Sequence, residues 1–286
     1  MHFRSLALCL WLGSLGLLPT GASAAPARRL QGEIAGARWA ALVPEGWNGR
    51  LLLEAPDRRH APAPLVATLE ETTPDHAALL AAGWALATTS YRRTGPILID
   101  AIEDLRALRE HLAAELGAAP LTIVAGEGMG GLIAVLMAER HSDEFHAFLA
   151  RDPQLELRDP RALRLKCDGQ PRGPILFLFG AGTARNVINY HDRARASANA
   201  ESVVPVLWFQ PEPGTDDPEA RPASLSEAVS VLAEWAQSRA APADRLAYLP
   251  AVDDLPASAP EERGAPASIA EKPPLPDEPP PTVPID

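Results

Sequence analysis

Apolar and polar positions follow two rhythms along the chain. Between Gly32 and Val43 two short runs meet at Ala35-Gly36, which reads as a hairpin. RLLLEA at Arg50–Ala55 and WALATTS at Trp84–Ser90 are almost uninterrupted apolar runs, as expected of strands buried on both faces. Pro74–Ala82, between them, reads as helix. Ile99, Ile102, Leu105, Leu108, Leu112 and Leu116 then recur at helical steps, giving an amphipathic helix that Gly117 ends. LTIVA at Leu121–Ala125 is a further strand, followed by glycines and a helix over Leu132–Arg140. Phe145–Ala150, Ile175–Phe179 and Val203–Phe209 add three more strands. Ser224 stands as N-cap of a last helix carrying Leu225, Val229, Leu232 and Trp235. Short apolar strands separated by helices imply an α/β fold: one domain, a mostly parallel sheet with helices on both faces, and an N-terminal hairpin.

The two ends break this rhythm. Arg4 precedes an apolar run from Leu6 to Leu18, Pro19 stops it, and Ala22-Ser23-Ala24 follows as a small-x-small cleavage pattern. That is the layout of a secretory signal peptide over residues 1–24, and the run is too short for a membrane-spanning helix. The folded domain is then expected over 25–239. From 240 to 286 twelve residues are proline, and nine acids face three bases, so this segment reads as a disordered acidic tail. The expected location is outside the cytoplasm, periplasmic or secreted.

Composition removes whole classes of function. The 286 residues are 47% hydrophobic, enough for a packed core. A formal net charge of −11 argues against nucleic-acid binding, which needs a basic footprint, and 5% aromatics leave little for base stacking. Cysteine occurs only at Cys9 and Cys167, which excludes a disulfide scaffold and a cysteine zinc site. Cys167 reads as a spectator thiol.

The informative stretch is LTIVAGEGMGGLIAVLMAERHSDEF, in which a strand runs through a glycine turn straight into a helix. Gly126, Gly128 and Gly131 satisfy the G-x-G-x-x-G dinucleotide fingerprint, with Asp152 about where a ribose-binding acid belongs. The same turn also suits a nucleophile elbow, G-x-S-x-G, which holds a nucleophile above the sheet.

VAGEGMGGLIAVLMAERHSDEF resembles the elbow and following helix of the α/β-hydrolase superfamily. VPEGWNGRLLL (Val43–Leu53) and LLAAGWALATTSYRRTG (Leu79–Gly95) resemble the first central strands of exported esterases of the tannase and feruloyl-esterase sort. PILFLFG (Pro174–Gly180) resembles the strand before the family's catalytic acid. The resemblance spans roughly residues 30–239 and implies a serine nucleophile, an acid, a histidine and an oxyanion hole.

On this chain those positions carry other residues. The nucleophile position is Gly128, the acid position is Thr183, and the oxyanion loop falls near Pro56-Asp57. No histidine follows His191, although the base should come after Phe209. His191-Asp192 reads as a surface pair, and the His141, Asp143, Glu144 and His146 group as a solvated turn with no metal.

The expectation is therefore an exported α/β-hydrolase-fold protein that binds or scaffolds without triad catalysis. Backbone N–H groups at Gly128, Met129 and Gly130 would receive a small anionic or ester-like ligand. Asp57, Arg58, His60 and Glu127 would form the rim, and no cofactor is implied. The alternatives are an esterase with relocated residues, Ser90 and Thr183 being its candidate hydroxyls, and the dinucleotide reading. A protein partner on the Pro-rich tail is the other partner class, and no transmembrane segment is expected.

Overall fold

The apolar runs pair side by side into one sheet in the computed structural model, which describes residues 26–162, 165–211 and 221–256. β1 (Arg28–Ile34) and β2 (Ala37–Val43) form the hairpin, turning on Ala35 and Gly36, both at positive φ, as a two-residue hairpin loop requires. Then follow β3 (Arg50–Ala55), α1 (Pro74–Ala81), β4 (Trp84–Thr89), α2 (Leu98–Leu116), β5 (Leu121–Glu127) and α3 (Met129–Arg140). β6 (Ala147–Arg151), β7 (Ile175–Phe179), α4 (Ala181–Ala196), β8 (Val206–Phe209) and α5 (Leu225–Ser238) complete the domain. The strand order is β1-β2-β4-β3-β5-β6-β7-β8. Only the β1–β2 and β2–β4 pairs are antiparallel.

Side-chain alternation gives the sheet two apolar faces. Leu51, Leu53 and Ala55 of β3 point into the core shared with α2, α3 and α4, while Leu52 faces α1 and α5. α2 buries Leu98, Ala101, Ile102, Leu105, Leu108 and Leu112, so its apolar stripe starts at Leu98, and Ile99 is exposed. α4 is absent from the apolar pattern. Its sequence is mostly polar, and only Ala184, Val187, Tyr190, His191 and Ala194 are buried. His191 therefore turns inward rather than lying with Asp192 on the surface.

The domain also runs past 239, which corrects the expected start of the disordered tail. Arg245 adds to the β8 edge: its N–H donates to Leu207 O, and Phe209 N–H donates to Arg245 O, each at 2.8 Å. The Arg245 guanidinium lies 3.6 Å above the Trp208 ring, and Leu207 N–H donates to Asp244 Oδ1. Leu246, Tyr248 and Leu249 pack on the core, Leu255 is buried, and Arg185 holds the carbonyls of Val252 and Leu255. A composition rich in proline and acid hid this segment because it adds a single bridge to an edge strand, with no periodic pattern. Residues 257–286 and the expected signal peptide at 1–24 lie outside the described residues.

Candidate functional site

β5 ends at Glu127 and α3 begins at Met129, leaving a single residue to reverse the chain. That residue, Gly128, has φ 58° and ψ −117°, a conformation that side-chain-bearing residues adopt only under strain. Its N–H donates to Arg151 O, and its carbonyl accepts the N–H groups of Leu132 and Gln154. The turn is pressed against its neighbours: a Cβ on Gly130 would stand 1.9 Å from Ala55 O. One on Gly126 would meet Gly130, and one on Gly131 would meet Arg151 O. These glycines thus serve the packing of an elbow between β3 and β6.

The space above Gly128 is filled. A Cβ there would lie 2.4 Å from Oδ1 and 2.6 Å from Cγ of Asp57, in the loop after β3. Asp57 Oδ1 accepts the Met129 N–H at 2.7 Å. In a nucleophile elbow, that N–H belongs to the residue after the nucleophile and donates to the oxyanion. A carboxylate of the chain itself thus takes the ligand expected at this helix N-terminus. Tyr91 helps to place it: this buried residue, at φ 58°, donates its hydroxyl to Pro56 O at 3.0 Å. Burial, more than the nearby Asp57 and Asp104 charges, pushes the Tyr91 hydroxyl pKa well up, so it stays a donor.

The other expected positions are also engaged. Thr183 Oγ1 donates to Asp152 Oδ1 at 2.7 Å, and Gly180 N–H donates to the same oxygen at 2.8 Å. Asp152, exposed and at φ 38° past the end of β6, thus has its Oδ1 engaged at the start of α4. Past β8 stands Gln210, whose Oε1 accepts the Ala223 N–H. Ser90 is fully buried, donating to Tyr91 O and accepting the Arg38 N–H. Ser90 is thus closed off from the surface, whereas Thr183 is only half-buried beside Asp152.

Of the expected rim, Asp57 and Glu127 line a common cavity, whereas Arg58 and His60 do not. Arg58 Nε is buried with no hydrogen-bond partner among the described residues, and His60 is exposed. In the 141–146 group, Glu144 pairs with Arg106 and lies 3.3 Å from His141 Nδ1. His146 Nδ1 accepts the Thr122 N–H.

The cavity itself, about 360 Å³, opens at the C-terminal ends of β3, β4 and β5. Glu54, Thr88 and Ala125 are register partners there. By alternation from Leu52 and Leu86, Glu54 and Thr88 lie on the face carrying α1 and α5. His76, in the first turn of α1, brings Nε2 within 2.7 Å of Glu54 Oε1 and Nδ1 within 2.7 Å of Glu70 O. The Glu54 carboxylate raises the His76 pKa above its usual value, outweighing burial. Arg59 closes another wall, donating to Pro64 O and Val66 O, while Glu127 pairs with Arg151 at the mouth. Glu54 and His76 were not expected as site residues, and Arg59 was expected only as part of the charged loop from Asp57 to His60. The one local signal was a carboxylate inside the apolar run RLLLEA.

In sequence, the chain matches no protein-family model and no curated protein. In structure it is similar to an esterase of Pyrobaculum calidifontis, with TM-score 0.53 and 16% identity, covering 77% of this chain and 87% of that one. It is likewise similar to an arylesterase, with TM-score 0.51 and 11% identity, covering 76% and 85%. A prolyl endopeptidase structure aligns at TM-score 0.50 and 11% identity, over 74% of this chain and 37% of its own length. The chain spans about a third of that protein and of a Bacteroides ovatus protein described as a dipeptidyl aminopeptidase IV. No helix among the described residues is long and apolar enough to cross a membrane. The likeness is one of fold: a single α/β-hydrolase-like domain with an antiparallel N-terminal hairpin.

Proposed function

We propose that this α/β-hydrolase-fold chain is an exported binding or scaffold protein that has lost Ser-His-Asp chemistry. The observation that carries the reading is the Asp57 carboxylate over Gly128, bonded to the Met129 N–H. A hydrolase stripped of its triad keeps roughly 10³–10⁴-fold catalysis over water from its oxyanion hole and substrate positioning. In this chain the elbow's own N–H is committed to an internal anion. A second negative charge 4 Å away would be repelled by about 1 kcal/mol in water and about 4 kcal/mol near a protein surface. The arrangement thus opposes the residual catalysis as well. Export is supported by the 1–24 sequence pattern.

The test is hydrolysis of p-nitrophenyl esters from acetate upward by the full chain, with Gly128→Ala alongside. No saturable turnover above buffer is expected from either. One observation favours a second reading, an esterase with relocated residues: Asp57 stands where a nucleophile's side chain would. Saturable turnover that disappears in Asp57→Asn would overturn the binding reading and make Asp57 the reacting group.

A further inference from the structure

The two edges of the sheet are finished differently. At β8 the segment past α5 runs along the edge: Arg245 exchanges backbone hydrogen bonds with Leu207 and Phe209, and the Trp208 indole N–H donates to Ala243 O. At the other edge β1 pairs with β2 alone, in unbroken register from Arg28 to Ile34. An unpaired edge invites another strand, and proteins commonly blunt it with proline or a bulge. RRLQGEI has no proline, and its register has no bulge. The loop after β3 touches the flank of β1, where Arg29 donates to Leu69 O. Even so, a recess of about 450 Å³ stays open between residues 31–33 and 66–68.

The hairpin decides which backbone groups of that edge are free. A two-residue loop at Ala35-Gly36 makes Ile34 and Ala37 a hydrogen-bonded pair, and alternation then commits Gly32, Leu30 and Arg28 to β2 as well. The N–H and C=O groups of Arg29, Gln31 and Glu33 point outward and have no partner among the described residues. Antiparallel pairing of two such edges about a two-fold axis at Gln31 engages them all. Gln31 then faces Gln31 of the second copy, and Arg29 faces Glu33 of the second copy. An axis at Leu30 or Gly32 would set Glu33 or Arg29 opposite Ala27 or Ala35, outside the strand. Parallel pairing in register would set like charge against like. Glu33 is exposed and has no ion-pair partner among the described residues, and the exposed Arg29 has its nearest carboxylate, Glu71, 3.9 Å away. On the other face Leu30 falls opposite Gly32 of the second copy, which leaves it room. That glycine is backed by an indole, since a Cβ on it would stand 2.9 Å from Trp39 Nε1.

We propose that β1 is a docking edge for a second copy of this chain, paired antiparallel about Gln31 so that the sheet runs on through both molecules. Two-fold pairing closes at two copies, uses each outward backbone group once and sets opposite charges side by side. The inference goes beyond the binding reading and stands whether or not the elbow has lost its chemistry.

Sedimentation velocity of the full chain across the micromolar range tests it. The expected result is a mass that rises with concentration to that of two copies. Gln31→Pro is expected to keep the fold, since proline is tolerated where an edge N–H faces outward, and to abolish the dimer. Glu33→Arg, which sets arginine against Arg29, should weaken association by roughly tenfold or more, because the symmetry repeats the clash. Adding Arg29→Glu to that variant exchanges the two charges and should restore the dimer. If circular dichroism shows Gln31→Pro to be misfolded, the charge exchange still decides. A chain that stays monomeric throughout, or a dimer indifferent to these substitutions, overturns the proposal. So does a monomer whose Arg29, Gln31 and Glu33 amides resist hydrogen exchange, since its own chain would then cover the edge. Ester turnover of the same preparation reads the elbow separately.

Discussion

Both ends of α3 are met by a carboxylate that accepts backbone N–H groups, yet the two serve different ends. At the C-terminal end Glu139 is buried, its side chain without exposed surface. It accepts the N–H groups of Gly169 and Asp168, the Tyr190 hydroxyl at 2.9 Å and an Arg140 N–H at 3.0 Å. Burial raises its pKa against those donors, the mark of a group held for structure at an electrostatic cost. At the N-terminal end Asp57 comes from 72 residues away, is exposed, and makes one such bond. The first carboxylate locks the segment around Cys167 and Asp168 onto the helix. The second occupies the place where the fold would present its chemistry. Equal hydrogen-bond chemistry thus has different consequences, and burial tells them apart.

The widest separation between the two ends should appear in stability. Glu139→Ala removes the acceptor for two backbone N–H groups, a hydroxyl and a guanidinium, all in a buried setting, and is expected to cost about 3–5 kcal/mol. Urea unfolding measures it. A loss below about 1 kcal/mol would mean that the lock is cosmetic and the contrast between the ends is empty. Next in size is Gly130→Ala, whose Cβ would stand 1.9 Å from Ala55 O, on backbone that cannot swing away. Overpacking of this kind costs about 1–3 kcal/mol. A neutral result in the same unfolding experiment would show that the elbow is not clamped to β3.

How much of this was legible beforehand depends on how local each signal is. Ile175–Phe179 read as a strand to the residue because all five side chains are buried, with Pro174 before it and Gly180 capping the helix after it. α4 did not, because its helix rests on tertiary burial of Val187 and Tyr190 beneath a polar sequence. The glycine turn was visible, and so was the missing side chain at Gly128. Asp57 was expected on the charged rim and at the oxyanion loop, but its bond to Met129 was not, since nothing local couples it to a turn 72 residues away. The run from Asp57 to His60 read as one charged loop, and periodicity cannot tell in an irregular segment that Asp57 and Arg59 line the cavity while Arg58 and His60 do not.

Asp57 itself should matter little to folding and more to anions. One hydrogen bond at an exposed site is worth about 0.5–1.5 kcal/mol, so Asp57→Ala should shift the unfolding midpoint only slightly. The freed Met129 N–H then becomes an open helix-start donor. Millimolar acetate is expected to raise the melting temperature of Asp57→Ala and leave the parent chain unchanged. The same response in both proteins would show that the carboxylate does not guard the turn.

The smallest effect separates the elbow from the cavity by pH. His76 is held between the Glu70 carbonyl and Glu54, and contact with Glu54 raises its pKa in the folded protein above the usual value of about 6.5. A histidine raised on folding contributes stability that is complete below its unfolded pKa and is lost as pH rises through the folded one. His76→Gln should therefore destabilise the chain most below about pH 6.5, with the difference from the parent fading on the alkaline side of the raised value. Asp57→Ala offers a control, since it leaves the His76 and Glu54 pair in place. Thermal unfolding of the three proteins from pH 5 to pH 9 tells them apart. A flat His76→Gln difference would mean that the imidazole is not charged against Glu54.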